Sequence, residues 1–439
     1  MQLYSISFLF YFLPLFLGIY YIVPDKEKTL VTIIGSVIFF LLQDGTALLQ
    51  LILLLVLTGG AYLIATELCK QKGGLVLSAA LSVMAGLLVF FKCYEGGRYL
   101  PPGMSFYLFQ LAAYLIDVRR KRLEPEKSLV SFGGQILLFP KLLSGPLMMP
   151  RSLQAQMNHP RVNLHRFHAG LQDLIVGLSM KVLLADRLAG LWNYAAIAGY
   201  ESITPLLAWT ALGAFAMRLY FDFHGYSMIA VGLGKMMGFE LPRNFEAPYA
   251  ARSVSEFFRR WHITLGAWFR DYVYIPLGGN RKGKWRTIGN ILAVWVLTGL
   301  WHGVGGNYLL WGLFLGTMIS LEKLWLGKLL RKIGVVAHLY TIGVILLSWV
   351  PFAVGDWGQA VTFLGQLFGA GIGRIGSSEI LRYLPVLLPG LLFLTPWPGR
   401  LYDAYREKVW LDFLLFALFW VSVYYIATAQ QDPFLYFRF

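Results

Sequence analysis

The sequence predicts an all-α integral membrane protein with about eleven transmembrane helices, together with shorter re-entrant or interfacial helices. Three observations carry that expectation. Of 439 residues, 57% are hydrophobic and only 14% are charged, whereas a soluble domain carries roughly 25% charged residues. Apolar runs of about 15–25 residues recur along the whole chain, long enough to cross hydrocarbon as helices. The net charge of +15 is also unevenly placed, with basic residues favouring every second loop, as the positive-inside rule requires. A nucleic-acid-binding surface would not alternate with hydrophobic spans in this way, so no nucleic-acid partner is expected.

In chain order the runs cover roughly 4–23, 30–43, 46–68, 74–92, 103–117, 169–192, 203–221, 288–303, 307–326, 335–353 and 409–428. Segments near 131–148, 225–239 and 384–397 are shorter or interrupted by Pro and Gly. Non-helical backbone of that kind is tolerated at membrane depth only inside protein or beside a water-filled cavity. The first run has neither a basic leader nor a small-residue cleavage site, and reads as a retained span. Cys69 and Cys93 provide no disulfide framework and no metal-finger spacing. No metal is expected.

Orientation follows from the loops. Lys26 and Lys28 follow the first span, Lys70 and Lys72 the third, and Arg119, Arg120, Lys121 and Arg122 the fifth. The intervening loops, 44–45 and 93–102, hold a single basic residue, Arg98. This places both termini outside the cytoplasm, in the cell membrane of a multi-pass protein, with 281–286 and 328–332 on the cytoplasmic side. No internal repeat is visible, which disfavours inverted-repeat transporters. The chain reads as one polytopic domain over 1–439. Its middle third is the unusual part, because residues 129–310 hold six of the seven histidines.

Within that third, 255–275 has the pattern of one amphipathic helix on the cytoplasmic side. Phe257, Trp261, Leu265, Trp268 and Tyr272 share a face, and Arg259, Arg260, Arg270 and Asp271 lie off it. Ser253 or Ser255 is positioned to cap its start, and Pro276 with Gly278, Gly279 and Asn280 ends it. Its charges exclude a lipid crossing, so it is expected to lie in the cytoplasmic interface or dip into the protein. Arg259 and Arg260 suit anionic headgroups or a phosphate-bearing donor, and a plain interfacial anchor fits the same pattern. His262 sits in this stretch, where a histidine costs little.

His302 is different. It follows the apolar run A-V-W-V-L-T-G-L-W and precedes G-V-G-G-N, and an imidazole at membrane depth is expensive unless it has work to do. A neutral imidazole can take the proton of an attacking hydroxyl and return it to a leaving group; a structural hydrogen bond to a neighbouring helix is the competing reading. The flanking glycines are expected to let a substrate chain approach closely. Trp301 alone is uninformative. Asp222, His224 and Tyr226 interrupt another apolar stretch, with Gly225 as an expected helix break. Residues two apart do not share a helix face, so this trio is expected to line a cavity rather than form a dyad. No P-loop, nucleophile elbow or dinucleotide fingerprint is present.

These segments carry a resemblance. P-P-G-M-S-F-Y-L-F-Q at 101–110, Y-L-I-D-V at 114–118, F-P-K-L-L-S-G-P at 139–146 and Y-F-D-F-H-G-Y-S-M-I-A-V-G-L at 220–233 are similar to segments of the membrane-bound O-acyltransferase family. So are G-F-E-L-P-R-N-F-E-A-P-Y at 238–249, E-F-F-R-R-W-H-I-T-L-G-A-W-F-R-D-Y-V-Y-I-P-L-G-G-N-R at 256–281 and G-L-W-H-G at 299–303. The chain looks closest to the bacterial branch that O-acetylates alginate, with teichoic-acid D-alanylation more distant. The resemblance implies a ring of transmembrane helices around a central tunnel. It also implies that His302 is the catalytic histidine and His262 a second histidine important for activity. His224 departs from the family's usual Ser or Ala.

The activity implied is movement of an acyl group, most simply acetyl, from a cytoplasmic donor such as acetyl-CoA or an acyl-carrier thioester to a cell-envelope polysaccharide. The donor is a co-substrate, and no bound cofactor is expected. An extracytoplasmic esterase-like (SGNH) partner is implied, which would pass the group to the polymer. Asp222, His224, Arg259, Arg260, Trp301 and Asn307 are carried as tunnel or donor-binding candidates, and the aromatic tail 434–439 as a contact or seal at the exit. D-alanyl transfer or lipid O-acylation on the same fold, and an envelope-precursor transporter of another class, are the alternatives.

Overall fold

The computed structural model describes residues 1–43, 45–158, 160–370, 373, 375–376 and 378–428; the expected aromatic tail 434–439 lies outside them. Among the described residues the chain is built of helices and turns, with two isolated bridges and no strand. Five helices are long and apolar enough to cross a membrane: Ala47–Cys69, Gly73–Gly97, Gly306–Leu330, Gly334–Ala353 and Val409–Thr428. A sixth follows if Ser378–Phe393 and Trp397–Tyr405, bent by 73° at their junction, form one broken span. The remaining apolar runs are helical too, but shorter or more polar. Lys28–Leu41 has 14 residues and Met104–Arg119 has 16, below the ~20 that hydrocarbon thickness asks of an upright helix. The structure therefore supports a multi-pass membrane class with five or six evident spans, and does not establish eleven.

Large apolar side chains lie exposed on these spans, among them Leu48, Leu49 and Val56 on one and Leu75, Val83 and Val89 on another. Water would penalise such surfaces, while lipid chains cover them without cost.

Two sequence expectations fail locally. Gly225 does not break its segment: Pro205–Met236 is one helix of 32 residues. A mid-helix glycine costs only about 1 kcal/mol, and its neighbours Phe223 and Tyr226 are buried, so packing overrides the local preference. The stretch 255–275 is not one helix but three pieces, Val254–Arg260, Ile263–Phe269 and a π-turn at Arg270–Tyr274. Of its expected apolar face, Phe257, Trp261, Leu265 and Tyr272 are buried in protein and Trp268 is half-buried, so the stretch dips into the protein, one of the two placements its pattern allows.

The described residues group into two compact units. One comprises Met1–Leu178, Tyr226–Arg243 and Phe419–Thr428. Its core is aromatic: Phe139 packs edge-on against Phe12 and Phe16 at 5.5 and 5.1 Å between ring centroids. The expected broken segment is present there as two short helices, Leu129–Leu137 and Phe139–Leu142, and it is almost wholly buried. Lys141, within it, hydrogen-bonds to the Gln110 side chain and the Ile136 carbonyl.

The other unit comprises Ser179–Gly225 and Asn244–Leu418. Here the Lys181 ammonium, 2% exposed, lies 2.6 Å from Asp186 Oδ1 and 2.8 Å from Asp222 Oδ1. Asp222 thus ties its helix to the π-turn Met180–Ala185, an ion pair that a buried carboxylate needs to stay charged. In the same unit the helices Lys284–His302 and Gly306–Leu321 make the most extensive helix pairing among the described residues. Glycine permits it. A Cβ on Gly312 would sit 2.4 Å from the Trp295 carbonyl oxygen, and one on Gly299 would sit 2.4 Å from that of Tyr308.

Removing one partner of a buried ion pair is costly, of the order of 3–5 kcal/mol. Lys181→Met is therefore expected to lower the melting temperature of the purified protein sharply, whereas Lys70→Met, in an exposed pair with Glu67, shifts it by less than about 1 kcal/mol equivalent. Differential scanning fluorimetry in detergent distinguishes the two.

Candidate active site

His302 is the last residue of the helix Lys284–His302, so its position is set by how that helix crosses its neighbour. The connection 303–305 is three residues long before the Gly306–Leu321 helix begins, and the two helices return side by side. The expectation that the flanking glycines thin the backbone for a substrate is corrected here. The space beside Gly299 is taken by the Tyr308 carbonyl, and a Cβ on Gly303 would meet the Tyr308 ring at 2.3 Å. These glycines admit the neighbouring helix. The result is a buried imidazole, 5% exposed, in an aromatic box. Its ring centroid lies 4.6 Å from Trp301, 5.0 Å from Trp311 and 5.2 Å from Phe352. Asn307 donates to the Pro351 carbonyl at 3.1 Å, joining the Trp311 helix to Gly334–Ala353, which carries Phe352.

His262 is placed by a different device. It occupies the break between Val254–Arg260 and Ile263–Phe269, with left-handed backbone at φ 49° and ψ 51°. A non-glycine residue there costs of the order of 1 kcal/mol, and its surroundings hold it. Ile263 N–H donates to the Asn244 carbonyl at 2.9 Å, and the Thr264 hydroxyl donates to Asn244 Oδ1 at 2.6 Å. Glu246 N–H donates to the Arg260 carbonyl at 3.0 Å, and Phe245 bridges antiparallel to Trp261.

Upstream, Ser253 caps the Val254–Arg260 helix by accepting from Glu256 N–H. The buried Glu322 carboxylate also accepts from the Val254 and Ser255 amides at 2.6 and 2.9 Å and from the Ser255 hydroxyl at 2.6 Å. An anion at a helix N-terminus is favoured by the unpaired amides there. The entire turn that presents His262 is therefore clamped at both ends.

His262 and His302 line one cavity of about 230 Å³. Its walls are mainly aromatic and aliphatic, including Phe258, Trp295 and Trp311, with Thr298 and Arg270 among the polar groups. Arg270 is exposed and paired with Asp271 at 2.7 Å, so the cavity joins a polar, open edge to two buried imidazoles. Trp301 stands beside both histidines, 6.2 Å from His262 and 4.6 Å from His302.

The other candidates sit elsewhere. Asp222 is in the Lys181 ion pair. His224 packs on Tyr220 and Phe245 at 5.1 and 5.4 Å. Arg260 pairs with Glu256 at 2.5 Å, Arg259 is exposed, and Asn307 braces a helix. None of the five lines the cavity. Sequence reading misses Asn244, Trp311 and Glu322, all recruited by tertiary contact: Asn244 lies inside the family-like stretch 238–249 with nothing there to single it out, and Glu322, a carboxylate inside an apolar run, leaves the one local signal of the three.

Burial pushes the His262 imidazole down to about 3, because a cation there would lose its hydration. It is therefore neutral across physiological pH and a poor proton acceptor, suited to hydrogen bonding. The unfolded chain, with an ordinary histidine, binds a proton that the fold refuses. Stability should consequently fall as pH drops below about 6.5, by up to about 1.4 kcal/mol per pH unit. His262→Gln is expected to remove one proton's worth of this slope in melting curves taken between pH 7 and pH 5.

Comparison with known proteins identifies the family. The model of the MBOAT, membrane-bound O-acyltransferase family matches residues 73–346. "Probable alginate O-acetylase AlgI" of Pseudomonas putida is 32% identical over 98% of this chain and 99% of its own length. The protein of the same name from Pseudomonas fluorescens is 36% identical over 85% of this chain and 77% of its own. "Peptidoglycan O-acetyltransferase" of Helicobacter pylori is 29% identical over 77% of this chain and 75% of its own. "Teichoic acid D-alanyltransferase" of Bacillus subtilis is more distant, 28% identical over 50% of this chain and 58% of its own. A multi-pass membrane acyltransferase, this chain belongs to the membrane-bound O-acyltransferase family.

Proposed function

We propose that the protein transfers a short acyl group, acetyl in the first instance, from an activated cytoplasmic donor toward a hydroxyl of a cell-envelope polysaccharide. The observation that carries this reading is the convergence of His302 and His262 on one largely apolar cavity. A cavity of that size takes a short acyl group and the reactive end of its carrier. Its apolar walls exclude the water that would hydrolyse the donor, and strengthen every polar contact inside. Arg270, at the exposed edge, is paired with Asp271 at 2.7 Å and can exchange that partner for an anionic donor such as acetyl-CoA or an acyl-carrier thioester. The relatives' names, which specify alginate, peptidoglycan and teichoic acid, favour an envelope polymer as the final acceptor.

In this scheme His302 is the general base. It takes the proton of the attacking hydroxyl and returns it to the leaving group. His262, held neutral, orients the donor by hydrogen bonding. The acyl group leaves on the outer side, with both chain termini on that face, and an extracytoplasmic esterase-like partner completes delivery to the polymer.

His302→Ala, expressed in a host that carries the acceptor, is expected to reduce polymer-linked acyl esters by at least about 100-fold, with the protein still inserted in the membrane. Ester content unchanged in cells containing stable variant would overturn the catalytic assignment. Competition between acetyl and longer acyl thioesters in isolated membranes tests donor length; preference for long chains would point to lipid acylation instead.

A further inference from the structure

The cavity contains a second polar group with no assigned role. Trp311 lines it together with His302, and the two rings meet nearly at right angles, 86°, with centroids 5.0 Å apart. The indole is 2% exposed, and its Nε1–H finds no hydrogen-bond acceptor among the described residues. Buried donors are almost always satisfied, and an orphan one calls for an explanation. Nothing about the position is loose. Trp311 stacks on Trp349 at 6.0 Å and packs against Phe352 and Trp295 at 5.4 and 5.9 Å. The glycine-lined crossing of the two helices fixes it relative to His302. A rigid, unspent N–H beside a general base is the kind of donor that stabilises charge developing in a transition state.

We infer that Trp311 Nε1–H is the hydrogen-bond donor to the acyl carbonyl oxygen during transfer, a further catalytic residue beside His302. The inference rests on the acyltransferase reading above. In the step, the acceptor hydroxyl oxygen bonds to the carbonyl carbon of an acyl thioester while its proton passes to the His302 imidazole. The carbonyl π pair moves onto oxygen, and that oxyanion accepts from Trp311. The C=O bond then re-forms as the C–S bond breaks, and the thiolate leaves with the proton that His302 held. Because the oxygen carries full charge only at the tetrahedral stage, the bond to Trp311 strengthens there. Its loss should appear in kcat rather than KM.

The test uses the full-length protein in lipid nanodiscs, with acetyl-CoA as the probe donor and thiol release as the readout. Trp311→Phe keeps an aromatic ring but removes the donor, and is expected to lower kcat by about 100-fold or more while changing KM by less than about threefold. Replacing Trp311 with 3-benzothienylalanine, which puts sulfur where the N–H was and preserves the shape, should give the same loss with an unchanged melting temperature. Trp349→Phe, which alters the same aromatic stack without lining the cavity, should retain kcat within about threefold. Benzothienyl protein with wild-type kcat overturns the inference, as does an equal loss in Trp349→Phe. If His302→Ala is inactive while Trp311→Phe is active, only the role of Trp311 falls. If His302→Ala retains its rate, the catalytic reading beneath it falls as well.

Discussion

The close crossing of the helices Lys284–His302 and Gly306–Leu321 is the constraint on which the site depends. Backbones that touch across Gly299 and Gly312 leave no room for a Cβ on either residue. In a membrane, where lipid is as apolar as the helix surface, such van der Waals contact is a main source of helix association. Because His302 ends one helix and Trp311 lies about one and a half turns into the next, the crossing determines how imidazole and indole face each other. A bulkier residue at the contact would move chemistry several residues away without touching it.

Around that pair the protein builds a cage in which polarity is rationed. Phe352, Trp301 and Trp311 surround His302, so the imidazole sits at low dielectric. His262 arrives through a strained turn that Asn244 fixes from one side and the Glu322-capped helix from the other. Strain of this sort persists only where neighbours over-determine it, and it is common at functional sites. The Lys181 ion pair secures the helix of Asp222 within the same unit. It explains a buried carboxylate without giving it a part in the reaction.

Much of the class was legible in the sequence because it depends on composition and run length, which need no tertiary knowledge. His302 was legible for a related reason: an imidazole at the end of an apolar run is anomalous wherever the helices pack. His262 was harder. Helical periodicity read straight through it, since a pattern of one residue in four cannot show a single left-handed residue, His262, stabilised by a segment around Asn244 that is distant in sequence. The glycines near His302 were noticed for the wrong purpose; their partner is the Tyr308 backbone and ring, which only the fold reveals. Asp222 and His224 drew attention as polar residues in an apolar stretch, and the structure accounts for them through Lys181 and through ring packing. Trp311 could not be singled out at all, because a tryptophan in a span is ordinary until its N–H is found without an acceptor.

The central claim is that acyl transfer takes place in the cavity shared by His302 and His262. A structure of the full-length protein with a non-hydrolysable thioether analogue of acetyl-CoA tests it most directly. The account predicts the acetyl-mimicking group in that cavity, its oxygen within hydrogen-bond distance of Trp311 Nε1 and its reactive carbon beside His302. An analogue bound elsewhere on the protein, with the cavity left to side chains or lipid, would contradict it.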